Sequence, residues 1–373
     1  MKKVELGTVV KQLMPSEERR NPRNSEGAFL ALKNGEIIFV YSCYEGDSFR
    51  DESFCNLRLI RSKDGGRTFD DGELIVTYGE EKGVNVMSVS LLEMQNGDIG
   101  LFYLVRTTYT MAQMFLRRSS DGGHTWSERV MCTPRDCFFV VNNDRVVRLA
   151  DGRIIIPAAC HDVGWKNAPD SGVNYFDGRS KDQFFVSDDD GINWRQVEGE
   201  VSLPYSAYSH SGLQEPGVLE LSPGILYGWA RTDIGHQWEF VSIDNGEHWT
   251  PAQPSRFTSP CSPMSMKRDT DGAIYAIWNP IPQYNGRENP GFFTGGRSPQ
   301  VIAVSRDNGK TFSEPVAFET EEGRGYCYCA IYFTEDAMLL AYCAGGKEEK
   351  STLAMTTIRR IERSQLKEIF EKA

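Results

Sequence analysis

The sequence of 373 residues is short of the features that mark several function classes. It has no excess of positive charge: 41 Lys plus Arg stand against 52 Asp plus Glu, a formal net charge of −11. A nucleic-acid backbone needs a basic face to displace its counterions, so that partner is excluded, while a local basic pocket for a small anion is not. No run approaches the ~18–20 apolar residues that span a bilayer. Behind the basic start Met1-Lys2-Lys3 there is no apolar stretch of the secretory kind. The expectation is a cytoplasmic protein with no membrane partner. The nine cysteines (43, 55, 132, 137, 160, 261, 327, 329 and 343) include no C-x-x-C pair, which excludes a zinc knuckle and a dithiol redox motif. Odd in number and set mostly in apolar stretches, they are expected as buried free thiols in a reducing compartment. No metal and no cofactor is implied.

What the sequence has is glycine (35 residues), aromatics (11%) and repetition, which suit strands and tight turns. One box recurs five times, from Ser62-Lys63-Asp64-Gly65-Gly66-Arg67-Thr68-Phe69 to Ser305-Arg306-Asp307-Asn308-Gly309-Lys310-Thr311-Phe312. The copies between begin at Ser119, Ser187 and Ser242 and close on Trp126, Trp194 and Trp249. An Asp in such a turn accepts backbone N–H groups a few residues on, Gly supplies a positive φ, and the aromatic pins the turn to apolar surface. Calcium ligation is disfavoured, because no box gathers the further carboxylates a calcium loop needs.

A second repeat is offset from the first. Six segments alternate apolar residues about a turn, at Asn34-Gly35, Asn96-Gly97, Asp151-Gly152, Pro223-Gly224, Asp271-Gly272 and Glu335-Asp336. These are hairpin signals. Six inner hairpins, five of them followed by a boxed outer hairpin, predict an all-β chain. The fold expected is a six-bladed β-propeller of four-stranded antiparallel blades, a single domain over 1–373. The sixth blade draws its outer part from 351–361, with a strand near 4–13 closing the ring, and a short helix follows at about 364–372.

In a propeller the inner strands all enter the channel at one rim, so residues just before each inner hairpin converge. Nine residues back from each turn stand Glu26, Ser88, Asn143, Glu215, Pro263 and Cys327. Around them are Arg23, Asn85, Asn142, Asp144 and Arg145, and the hairpins return to the same rim with Asp51, Arg106, His161 and Arg231. Such a ring suits a small, polar, anionic ligand.

With boxes and blades in place, nearly the whole chain resembles the sialidase (neuraminidase) family. The segment Gln214-Glu215-Pro216-Gly217 through Trp229-Ala230-Arg231 is similar to the family stretch that carries a catalytic Glu and one arginine of a carboxylate-binding triad. Arg297, eight residues before the last box, is placed like another triad arginine. Gly325-Tyr326-Cys327-Tyr328-Cys329-Ala330 is similar to the stretch that bears the tyrosine nucleophile, with Tyr326 the better placed and Tyr328 second. Where the family opens its first blade with Arg-Ile-Pro, this chain reads Arg20-Asn21-Pro22-Arg23-Asn24-Ser25-Glu26.

The resemblance implies an exo-acting glycoside hydrolase that removes a terminal acidic sugar, sialic acid the leading case, with retention of configuration. Its substrate partner would be a small acidic glycan. Tyr326 would attack, since a neutral phenol is not repelled by the substrate's own carboxylate. Glu215 would serve as its base, and Asp51 would protonate the leaving oxygen. Arg231 and Arg297, with Arg23 or Arg145, would hold the carboxylate by paired N–H bonds. Glu26, Asn143, Asp144, Arg106 and His161 complete the expected substrate contacts. The competing readings are a propeller lyase or hydrolase of uronate-containing glycans and a non-catalytic glycan-binding propeller.

Overall fold

A computed structural model describes residues 1–165, 174–282 and 295–371 of the chain. As the alternating pattern predicts, these residues are strands and turns, apart from one helix, Arg363–Glu371. No helix among them is long and apolar enough to cross a membrane.

Among the described residues most strands pair in six consecutive antiparallel groups; outside them are the pair Val163–Trp165 with Asn174–Phe176 and the strand Lys2–Lys3, which runs parallel to Val316–Glu319. The first runs Asn24–Ala31, Ile37–Tyr44, Cys55–Ser62 and Glu73–Val76. The second is Asn85–Glu93, Ile99–Thr108, Met111–Ser119 and Val130–Met131. In the third, the short pieces Phe138–Val140 and Val147–Arg148 both pair with Ile154–His161, followed by Lys181–Ser187 and Arg195–Gln196. The fourth is Gln214–Ser222, Ile225–Arg231, His236–Ser242 and Gln253–Thr258. The fifth is Ser265–Arg268, Ile274–Trp278, Gln300–Ser305 and Val316–Glu319. The sixth, Cys327–Phe333, Ala337–Cys343 and Thr356–Glu362, takes its outer strand, Thr8–Leu13, from the other end of the chain. Hydrogen bonding among the described strands does not close into a barrel.

Single parallel strand-end pairs, Cys55 with Asn85 and Ala112 with Phe138, link the first three groups by hydrogen bonding, and packing joins all six. Each of six apolar clusters mixes residues from two neighbours: Leu59 with Leu101, Met114 with Phe185, Ile155 with Phe240, Trp229 with Ile274, Ile302 with Leu340, and Leu339 with Phe39. Each buried side chain of this size contributes roughly 1.5–3 kcal/mol, so the seams carry much of the stability. The helix seals one seam with Leu366 and Phe370, whose ring meets Tyr275 edge-on at 6.2 Å.

The boxes are turns that pin these seams. In each, the Asp accepts from the Ser hydroxyl and from the backbone and side chain of the residue four positions on; Thr68 gives Asp64 two such bonds, at 2.9 and 2.7 Å. The same set recurs at Asp121, Asp189, Asp244 and Asp307. These carboxylates are engaged within their own turns, as a staple requires. The closing aromatics lie against the preceding group: Trp194 edge-on to Phe102 at 6.1 Å, Trp249 stacked on Phe184 at 4.3 Å and Phe312 edge-on to Phe257 at 5.2 Å.

One expectation needs correction here. Cys137 and Cys160 are not free thiols but a disulfide. Phe139 faces Cys160 across the strand pair, which brings Cys137 diagonally beside it with Cα atoms 6.5 Å apart, inside the reach of such a bond. The other seven cysteines are free, five of them buried.

Candidate active site

The mouth is shaped by a backbone device repeated in four groups. At the start of their first strands the antiparallel register slips by one residue, between Ser25 and Ala28, Met87 and Ser90, Gln214 and Gly217, and Cys327 and Ala330. Just after each slip begins stands a non-glycine residue with left-handed backbone: Glu26, Ser88, Glu215 and Tyr328, with φ of 55°, 59°, 50° and 55°. A bulge of this kind costs roughly 1–3 kcal/mol and re-aims its side chain. All four side chains line one cavity of about 460 Å³.

Two of them touch. The Tyr328 hydroxyl donates to Glu215 Oε1 at 2.8 Å, and Arg231 Nη1 lies 2.9 Å from Glu215 Oε2 and 3.4 Å from the Tyr328 oxygen. Arg297 sits over the Tyr328 ring, its guanidinium carbon 5.4 Å from the centroid. Burial and the Glu215 carboxylate push the phenol well above its ordinary pKa, and Arg231 and Arg297 only partly offset them. The resting phenol is therefore neutral and hydrogen-bonded to an acceptor able to take its proton.

The other tyrosine is a correction. Tyr326 lies in the seam between the fifth and sixth groups, 2% exposed and edge-on to Tyr342 at 6.3 Å. Burial and the neighbouring Glu319 and Glu321 raise its pKa, and nothing places it in the cavity. The physical reason is turn length. The last hairpin leaves residues 334–337 unpaired where the first leaves 32–36, so counting back a constant distance lands one residue early, on Cys327.

The first group's side of the cavity is built differently. Arg23 is 1% exposed and largely spent: Nε donates to Ser25, Nη1 to Asp51 at 2.6 Å and to the Phe49 carbonyl, and Nη2 to Glu26 at 2.6 Å, while its face covers Tyr44. It lines not this cavity but the smaller adjoining one, beside Arg297, and with its donors spent it is not the free carboxylate binder expected. Glu26 lines the cavity, and burial, outweighing Arg23, raises its pKa. Asp51, exposed at the rim, is held below the ordinary value: desolvation opposes ionisation, but Arg23, with Arg106 and Arg231 behind it, prevails. Asn85 and Arg106 anchor the Asp51 carbonyl.

Three further expectations fall on structural residues. Arg145 is buried, donates to the Met264 carbonyl at 2.6 Å and lies over Trp229. Asn143 donates to the Gly27 and Tyr328 carbonyls, at 2.8 and 3.2 Å. Asp144 latches Lys267 Nζ at 2.7 Å and the Ile331 amide at 3.0 Å. Each ties this stretch to distant strands of the first, fourth, fifth and sixth groups instead of facing the cavity, while its backbone is fastened to Val89 and Ser90 of the second. Asn142, beside them, does line the cavity.

Arg106 and His161 line the cavity and belong to an aromatic wall not foreseen from the sequence. Arg106 lies over Phe138 at 5.1 Å and Tyr109 at 5.7 Å, Phe138 meets Phe176 at 5.5 Å, and Phe176 stacks on His161 at 4.9 Å. His161 Nδ1 donates to the Asp177 carbonyl, and burial lowers its pKa, so the ring is neutral with Nε2 an acceptor. The only signal for Phe138 and Phe176 was an aromatic flanking a polar stretch, which any strand provides. Arg297 lines an adjoining cavity of about 380 Å³ that shares Asp51 and Glu52 with the first. Among the described residues no cluster of His, Cys, Asp and Glu is arranged to hold a metal ion.

Known proteins share this build. The chain is 24% identical over 340 residues to a sialidase of Bacteroides fragilis (strain YCH46), a match covering 81% of this chain and 56% of that protein. It thus spans about half the length of that curated relative. Among solved structures, a Hadza microbial sialidase, Hz136, superposes with a TM-score of 0.72 at 17% identity, over 96% of this chain and 69% of its own. A protein of unknown function from Dyadobacter fermentans DSM 18053 superposes with a TM-score of 0.68 at 17% identity, over 96% of this chain and 100% of its own. Residues 72–341 match the family model described as the BNR repeat-like domain. Matched over well more than half its length, the chain belongs to that BNR-repeat family.

Proposed function

We propose that the chain is a sialidase-like retaining glycoside hydrolase, its six strand groups forming the blades of a propeller, and that it removes a terminal acidic sugar from a small glycan. The contact between Tyr328 and Glu215, bridged by Arg231, carries this reading. Tyr328 attacks the anomeric carbon while Glu215 takes the phenolic proton, forming a glycosyl–tyrosine bond as the bond to the leaving oxygen breaks. Asp51 gives that oxygen its proton and then takes one from the water that releases the sugar. Because Arg23 keeps Asp51 ionised in the free protein, activity is expected to favour acid pH. Arg231 and Arg297 hold the sugar's carboxylate. The sialidase named among the relatives supports the substrate class.

A second substrate, a uronide in place of a sialoside, is favoured by the commitment of Arg23 to Glu26 and Asp51, which leaves two arginines where three were expected. A panel of fluorogenic sialosides and uronides, assayed from pH 4 to 8, tests the proposal. Turnover of at least one acidic glycoside, lost in Glu215→Gln, is expected. A wild-type protein inert toward the whole panel would favour a glycan-binding role instead.

A further inference from the structure

The two guanidiniums beside Tyr328 share an uncommon partner, sulfur. Arg231 Nε donates to Cys261 Sγ at 3.2 Å, and Arg297 Nη1 to Cys327 Sγ at 3.1 Å. The Cys261 carbonyl also accepts from Arg297 Nη2 at 3.4 Å, so one residue braces both side chains. Among the described residues Arg297 has no carboxylate within ion-pair distance.

Both cysteines are themselves fixed. Cys261 is half-buried in a loop whose next residue, Ser262, bonds Asn279 at 2.6 Å and accepts from Gln237 at 2.7 Å. Cys327 is buried directly across the strand pair from Cys343. Burial opposes its ionisation, but a hydrogen bond from Cys343 and the charge of Arg297 outweigh it, so the Cys327 thiol lies below its usual range and acts as the acceptor.

A carboxylate in either place would aim the guanidinium but also neutralise it and compete with an incoming anion. A thiol is a weaker acceptor, and at Arg231, whose Nη1 already faces Glu215, it fixes the plane of the fork without adding a second negative charge. We propose that Cys261 and Cys327 are positioning residues that set Arg231 and Arg297 in the geometry needed to grip the substrate's carboxylate. The identity of that ligand rests on the function proposed above.

The test is a set of single variants, Cys261→Ala, Cys261→Ser and Cys327→Ala, read in two ways. With the best acidic glycoside of the panel, Cys261→Ala should raise KM about tenfold, as loss of one charge-assisted contact does, with kcat within about twofold. Cys261→Ser, which restores an acceptor, should recover much of that loss. Independently of turnover, the Nε–Hε NMR resonances of Arg231 and Arg297, assigned through Arg→Lys variants, should shift in Cys261→Ala and Cys327→Ala respectively. Unmoved resonances, or a lower melting temperature with KM unchanged, would show that the cysteines only fill space and overturn the proposal. Shifted resonances in a protein that turns over no acidic glycoside would sink the hydrolase reading while sustaining the positioning role.

Discussion

The two sides of the cavity start from the same backbone and end in opposite chemistry. On the side of the fourth and sixth groups, the slipped strands present Glu215 and Tyr328 to each other, with Arg231 at the junction, half-buried and open to the cavity. On the side of the first group, the same slip presents Glu26, but its arginine, Arg23, is withdrawn beneath the rim and held by two carboxylates. The first arrangement leaves donors and acceptors poised for a ligand. The second uses up its arginine in building the rim. A shared bulge therefore fixes where a side chain goes, and the groups it meets there, Arg23 for Glu26 but Arg231 and Tyr328 for Glu215, decide whether that side chain binds or braces.

The largest expected effect breaks the reactive side. Tyr328→Phe and Glu215→Gln should each lower kcat by about a hundredfold or more, the usual worth of a positioned proton acceptor and its nucleophile. Tyr326→Phe should leave kcat nearly unchanged. Steady-state kinetics on the three purified variants decides it, and equal losses at Tyr326 and Tyr328 would reverse the assignment. Next in size is the bracing side. Arg23→Ala strands Glu26 in a buried site and should cost about 3–5 kcal/mol of stability by urea unfolding. Arg231→Ala should instead mainly raise KM, with a smaller stability loss. Were Arg231→Ala the more destabilising of the two, the contrast between binding and bracing would fail.

Much of the architecture was legible because it is local. A box of Ser, Asp, Gly and an aromatic makes its own hydrogen bonds within eight residues, and an Asn-Gly or Asp-Gly turn between alternating residues needs no distant partner. Glu215 and Arg231 were legible for the same reason, being the two ends of one hairpin pair. What could not be read depends on length and on non-local pairing. One residue fewer in the turn after Phe333 moves the cavity position from Cys327, beside Tyr326, to Tyr328. The burial of Arg145 depends on Trp229 and Met264, more than eighty residues away, and the Cys137–Cys160 bond on a strand register that no spacing rule supplies.

The smallest effect separates the mouth from the boxed turns at the outer edge. There Asp64, Asp244 and Asp307 are held at about 2: their hydrogen bonds, from Thr68, His248 and Thr311 among others, favour the carboxylate over its acid. An acid whose pKa is lower folded than unfolded adds stability above its unfolded value, about 3.9, and loses it as pH falls toward 2. The turns are largely exposed, so each contribution is small, but they act in the same direction. Asp64→Asn should therefore lower the melting temperature slightly at pH 7, and that deficit should shrink steadily as the pH is brought from 4 toward 2. Arg23→Ala, whose cost arises from a buried and upward-shifted Glu26, should regain stability at a higher pH, as that carboxyl takes up its proton above the usual carboxylate range. Melting curves of both variants across pH 2–7 would show the two recoveries separated along the pH axis, and a single shared recovery would mean that outer turns and inner rim draw on the same titration.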